Sequence, residues 1–365
     1  MNKTFKMSNI RLLLFVLLFS SGTLQAQNPR LAMYESSPMV VNPAWTGKFN
    51  GKLQVGAHTS FMRYNNNDTT PDPRMMHNNF SIEYRSKYDK EDRRNLKYFA
   101  LGLNYYRYGH STAPFNASFV SISGAYHSYL DSKRKHNFSA GAQITYAQAR
   151  INPVASGEKT YYNPEISGGG FAYRESEFLN EAITHSYPDF NVGVNYMFRT
   201  QSFSFDLGLS MYHLFYPRND IFKKDLETKL RHRGVFSMNF AFDLDEVNTI
   251  LFKTMYWTDG LYWLSTSNAD RGKDEYKIAG WLGTEFVKSP LETKVFRVNY
   301  GLYTRSLRTL IPMVSAFYND QYNMRACFEF PLNSRRFDAY RATRLELSLF
   351  VFLNPAKKVV PYTED

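Results

Sequence analysis

One cysteine, Cys327, stands in a chain of 365 residues, so no intrachain disulfide can brace the fold. Long apolar runs are missing too. Apart from the short stretch Leu12–Phe19 near the start, nothing approaches the roughly twenty residues that a spanning helix needs. Mean hydropathy is low, at −0.45. Acidic residues are outnumbered: Lys and Arg total 44 against 33 Asp and Glu, a formal charge of +11. Patterns that carry reaction chemistry are also lacking. There is no G-x-S-x-G. The run Gly168-Gly169-Gly170 is not followed by the Lys-Ser/Thr of a phosphate-binding loop. Eight scattered His residues include no i, i+4 pair and no Cys partner at ligand spacing. Ser210 and His213 lie three apart on one expected strand, where alternation turns them to opposite faces. No catalytic, cofactor-binding or metal residues are expected, and the chain reads as a non-enzyme.

Aromatics are plentiful, at 17% of the chain with 27 Tyr and 30 Phe. Their clearest pattern lies in Pro188–His213. Phe190, Val192, Val194, Tyr196 and Phe198 alternate with Asp189, Asn191, Gly193, Asn195 and Met197. After Arg199-Thr200-Gln201, Phe203, Phe205, Leu207, Leu209 and Met211 alternate with small or polar residues, among them Asp206. Period-two alternation predicts a hairpin with one large apolar face and one small polar face. Such a hairpin suits a soluble β-fold, or a transmembrane barrel with its apolar face to lipid.

The rest of the chain decides between these. Residues 1–26 read as a signal peptide: Lys3, Lys6 and Arg11, a short apolar core, then Leu24-Gln25-Ala26. An exported chain without a spanning helix can occupy a membrane only as a closed barrel. Residues 27–50 show no alternation and carry Pro38 and Pro43, so they read as a periplasmic lead-in. About fourteen strand-like segments then fill residues 51–353, most of eleven to fifteen residues. About ten residues of tilted strand cross a bilayer core. Links after even-numbered segments are short, such as 131–134, 199–201, 244–246 and 320. Links after odd-numbered ones are mostly long, such as 65–76, 150–187, 215–232 and 259–274; those after Tyr108 and Thr304 are exceptions. That sorting predicts an all-β, transmembrane antiparallel β-barrel in the outer membrane, with long extracellular loops and short periplasmic turns. Residues 354–365 form a polar C-terminal tail. Export and the spread of basic residues argue against nucleic acid. Lipopolysaccharide phosphates or an acidic partner account better for the positive charge.

Four stretches resemble the PorP/SprF family of type IX secretion and gliding systems of the Bacteroidetes. They are Asn42-Pro43-Ala44-Trp45-Thr46-Gly47, Pro188–Tyr196, Leu207–Ser210 with His213-Leu214, and the closing strands around Gly301–Val314 and Leu345–Leu349. Pro38–Val41 and the tail beyond Leu353 depart from the family pattern. The resemblance implies a secretion component with no reaction of its own. Its partners would be outer-membrane lipid and type IX secretion proteins, including periplasmic lipoproteins, or a secreted surface adhesin.

Two sets of residues are candidate sites. Alternation turns Asp189, Asp206, Arg297, Arg325, Glu329, Arg344 and Glu346 into the lumen, where mixed signs suggest salt bridges and a narrow or plugged interior. In the lead-in, Leu31, Met33, Tyr34, Met39, Val40, Val41 and Trp45 need a surface to bury against. That surface is the periplasmic mouth of the barrel or another protein. In the second case Asn42, Pro43 and Gly47 shape a turn presenting Trp45 to a partner. A scaffold or anchor in the secretion machinery is the leading function. A diffusion or uptake channel for small anions or fatty acids is the alternative.

Overall fold

The computed structural model describes residues 31–64, 74–86, 97–110, 115–151, 160–162, 171–174, 183–218, 230, 232–245, 248–259, 277–288, 296–305, 307–332 and 342–353. Residues 1–26, the 354–365 tail and the glycine run at 168–170 lie outside them. The first strands are β1 (Leu53–Tyr64), β2 (Arg74–Arg85), β3 (Lys97–His110), β4 (Phe115–Tyr129) and β5 (His136–Ile151). A small two-stranded sheet, β6 (Thr160–Tyr162) with β7 (Phe171–Arg174), follows in the next loop. Then come β8 (Ile183–Arg199), β9 (Phe203–Tyr212), β10 (Arg233–Asp243), β11 (Asn248–Asp259) and β12 (Lys277–Lys288). The last are β13 (Phe296–Arg305), β14 (Thr309–Tyr318), β15 (Tyr322–Pro331) and β16 (Ala342–Leu353).

Without β6 and β7, the other fourteen strands form one closed antiparallel barrel in which each pairs with its sequence neighbours. β16 returns to β1 over the full length of both, from Leu53 opposite Leu353 to Tyr64 opposite Ala342. Closure leaves no open edge in the sheet.

The faces are sorted as lipid requires. On β3, Phe99, Leu101 and Leu103 point out while Tyr98, Ala100, Asn104 and Tyr106 are buried inside. The outermost side chains of β3 and β4 are apolar, with Phe99 63%, Leu101 61% and Ile122 63% exposed. Inward neighbours such as Asn104, Ser123 and His127 are almost fully buried. A water-soluble protein would sort its faces the other way.

Turn chemistry fixes the short ends. Asn319 and Asp320 both adopt positive φ, 54° and 52°, the geometry of a tight hairpin between β14 and β15. In the β4–β5 turn, Asp131 accepts hydrogen bonds from the amides of Lys135 (3.0 Å) and His136 (2.8 Å). The short turns at 130–135, 200–202 and 319–321 lie at one end, which in this architecture faces the periplasm.

The first strand of the hairpin that dominates the sequence starts five residues earlier than Pro188. Residues Ile183–Tyr187 continue the ladder with β5, from Ile183 opposite Ile151 to Tyr187 opposite Ala147. His213, just past β9, leaves the alternation. Its φ of 62° turns the side chain inward, 3.0 Å from Asp189.

Candidate functional site

The lead-in does not rest at the periplasmic mouth. It lies inside the barrel, and Leu31–Gly47 is buried almost throughout. It is built from three short turns: a 3-10 turn (Tyr34–Ser36), one α-helical turn α1 (Pro38–Val41) and a second 3-10 turn (Pro43–Trp45). The prolines explain this breakup. Pro38 and Pro43 each occupy the first turn of their element, where a missing N–H costs nothing. Asn42 caps the last turn, its Oδ1 accepting from the Ala44 amide at 2.9 Å.

Irregular backbone at membrane depth must find its hydrogen-bond partners within the protein. Here inward side chains supply them. Ser210 donates to the Val41 carbonyl (2.7 Å), Ser139 to Ala44 (3.2 Å), Gln143 to Met39 (3.1 Å) and His127 Nε2 to Thr46 (2.7 Å). Glu83 accepts from the Gly47 amide (2.8 Å), and Glu346 accepts from the amides of Ala32 (2.7 Å) and Met33 (2.9 Å).

Shape matters as much as polarity. The turn at Asn42–Gly47 seats on inward-facing glycines of successive strands. A Cβ on Gly141 would strike the Pro43 backbone, and one on Gly193 would strike the Asn42 side chain. A Cβ on Gly102 would strike Met39, and one on Gly208 would stand 3.0 Å from Asn42 Nδ2. Asn42 Nδ2 reaches the carbonyls of Val194 (3.1 Å) and Leu209 (3.4 Å). Trp45 Nε1 donates to Asn195 at 2.8 Å. On the other side of the lumen Ala32, Met33, Tyr34, Val41 and Trp45 join an apolar core with Tyr212, Val235, Met255, Trp257, Tyr303, Ile311, Met313 and Cys327. The lumen is therefore half polar and half apolar, and the lead-in is its filling.

Charges of both signs tie the filling to the wall. Lys253 bridges Glu35 of the lead-in (2.8 Å) and Glu285 (2.6 Å), and Arg325 also reaches Glu35 (3.3 Å). Tyr303 donates a short hydrogen bond to Glu285. Lys48 pairs with Asp206, which also accepts from Asn195 at 3.2 Å. Toward the extracellular end Arg305 pairs with Glu329 (2.6 Å), and Arg344 lies between Glu329 (3.6 Å) and Glu346 (3.3 Å).

The sequence matches the family described as type IX secretion system membrane protein PorP/SprF over residues 23–350. The chain belongs to the PorP/SprF family. This PorP/SprF chain is thus a membrane component of type IX secretion, and its barrel lies in the outer membrane. Among curated proteins none matches it. Solved structures of other barrels are similar to it. The TodX deltaS2S3 mutant monoaromatic hydrocarbon channel superposes with a TM-score of 0.51 at 9% identity, covering 92% of this chain and 97% of that one. The Ralstonia pickettii toluene transporter TbuX gives 0.46 at 8% identity, covering 92% and 95%. The translocator domain of the Neisseria meningitidis autotransporter NalP gives 0.39 at 9% identity, covering 83% and 88%.

Three of the family-like stretches of this PorP/SprF chain meet in one place. Val41–Gly47 docks on Gly193 and Asn195 of β8 and on Gly208 and Ser210 of β9. Asn42, Pro43, Trp45 and Gly47, expected as a periplasmic docking turn, are buried in the lumen instead; Trp45 is 6% exposed. Glycines on the inner wall of β5, β8 and β9 offer Asn42 and Pro43 a close seat, and Trp45 also joins the apolar cluster on β10–β15, surfaces that a solvated mouth does not provide.

Of the expected lumen charges, Asp189, Asp206, Arg325, Glu329, Arg344 and Glu346 all engage oppositely charged or ionisable groups. Arg297 stands apart, its guanidinium 4.0 Å over the Phe317 ring. Ser210 and His213 form no pair, but for a different reason than alternation: Ser210 is committed to Val41, and His213 to Asp189. Sequence reasoning missed Glu35, Lys48, Lys253, Glu285 and Arg305. For Lys253, Glu285 and Arg305 the inward parity of their strands was the available signal. Glu35 and Lys48 carry no periodic signal, because their segment has no strand.

Proposed function

We propose that this PorP/SprF barrel is a non-enzymatic scaffold or anchor. It would hold periplasmic components of the type IX machinery, or a secreted surface protein, at the outer membrane. The observation that supports this reading is the occupied lumen. Residues 31–47 fill the interior, and buried ion pairs of both signs fix them there. A permeation path more often presents one sign of charge at an open constriction. With its wall in lipid and its lumen filled, the barrel has its loops and its periplasmic turns left for partners. In this reading Asn42, Pro43, Trp45 and Gly47 contribute by holding the plug in place. Direct docking through Trp45 would require the plug to leave the lumen.

Gentle solubilisation of the native outer membrane, affinity purification and protein identification test the scaffold. Secretion proteins should co-purify in fixed ratio, and the purified barrel should show no steady conductance in planar bilayers. Large, stable single-channel steps from a barrel that retains no protein partner would favour the diffusion channel.

A further inference from the structure

The periplasmic end carries two well-braced turns of opposite charge. The β4–β5 turn reads Leu130-Asp131-Ser132-Lys133-Arg134-Lys135, with Lys133 and Lys135 exposed. Lys97, exposed at the start of the adjoining β3, adds to it. The β10–β11 turn begins Asp243-Leu244-Asp245, and all three residues are exposed. Side chains brace both turns. In the basic turn the amides of Lys135 and His136 donate to the Asp131 carboxylate, and Arg134 takes a left-handed φ of 53°. In the acidic turn Asp245 accepts from the Asn248 amide (2.7 Å), and Asp243 accepts from the Thr249 hydroxyl (2.6 Å). Inner-leaflet headgroups surround a barrel evenly. They account for a basic turn but not for an acidic one at the same depth.

We propose that these turns are the two halves of a contact between copies of this chain, the basic turn of one barrel against the acidic turn of the next. The membrane gives every copy the same depth and orientation, so turns at the same end meet at the same level. Basic against basic, or acidic against acidic, would repel, so the contact is head-to-tail rather than two-fold. Exposed charges select and orient a partner more than they bind it, and confinement to one membrane supplies the local concentration. Four of the fourteen barrel strands, β5, β8, β9 and β10, lie between the two turn tips. That is roughly a quarter of the circumference, so each copy is rotated relative to the last, and the arrangement favours a small closed ring over a straight row. Leu130 and Leu244, 65% and 62% exposed, stand beside the charged tips on the side where a neighbouring wall would lie.

The test uses the full chain in native outer membranes, with two differently tagged copies expressed together. One carries Leu130→Cys and the other Leu244→Cys; the native Cys327 is buried. Mild oxidation should give a cross-linked dimer bearing both tags. Two Leu130→Cys copies, or two Leu244→Cys copies, should cross-link at least roughly tenfold less, because like charges then meet. Lys133→Glu/Lys135→Glu in the first copy should lower the mixed yield by a similar factor, and Asp243→Lys/Asp245→Lys in the second copy should then restore it. Equal yields for mixed and like pairs, or a mixed yield indifferent to Lys133→Glu/Lys135→Glu, would overturn the proposal. Cross-linking of either position to a different protein alone would overturn it as well. If Asp243→Lys/Asp245→Lys, which removes two bracing carboxylates, forms no heat-modifiable barrel, the first two comparisons decide alone.

Discussion

Trp45 shows how one side chain can serve two halves of a lumen. Its indole N–H reaches Asn195 on the polar wall, while its rings join the apolar cluster with Tyr34 on the other side. We predict that Trp45→Ala removes about 3–5 kcal/mol of docking energy, the usual cost of truncating a buried Trp. The lead-in should then be cut by added protease while the barrel keeps its heat-modifiable gel mobility; equal resistance in variant and wild type would count against the seat described for it. Lys253 has a similar standing among the charges. Lys253→Met leaves the buried Glu285 without a cation and Glu35 with Arg325 alone, and an unpaired buried charge costs about 3–5 kcal/mol. The variant's unfolding midpoint in detergent should fall, and adding Glu35→Gln should recover part of the loss. A double variant as unstable as the single one would mean that the two residues are not coupled.

At the scale of elements, the lead-in and the strands depend on each other unequally. The barrel closes through β1 and β16 without help from the lead-in, since their ladder runs the length of both strands. A chain lacking residues 31–46 should therefore still form a heat-modifiable barrel, but one that conducts ions in planar bilayers where the wild type does not. Failure of that barrel to form would make the lead-in part of the fold rather than its filling.

The strands themselves were legible in the sequence, because period-two alternation states directly which face each side chain takes. The plug was not. Met255, Ile311 and Met313 point inward beside the outward-facing Tyr256, Leu310 and Val314. Where both faces are apolar, alternation cannot reveal that one of them is packed against a foreign segment. Pairs such as Lys48 with Asp206 join positions 158 residues apart, with no period to connect them. His213 was misread because its left-handed backbone breaks the alternation on which the reading depended.

At the scale of the molecule, fourteen strands give an even-numbered barrel with its short turns on one side. An epitope inserted in the long loop at 152–182 should be labelled on intact cells, whereas one in the 130–135 turn should be labelled only after the outer membrane is opened. The reverse pattern would invert the orientation. The plug also bears on the order in which the molecule can be made. Ala32 holds Glu346 across 314 positions of sequence, and Trp45 holds Asn195 across 150. Contacts of such separation form late, because a long loop must close before they are rewarded. The segment that leaves the translocation machinery early thus waits, unsatisfied, for the last strand to arrive, and the wall has to be wrapped around it rather than filled afterwards. A chaperone that shields residues 31–50 in transit would act on the step that this wait makes vulnerable, and a lead-in peptide supplied to a finished empty barrel should fail to enter.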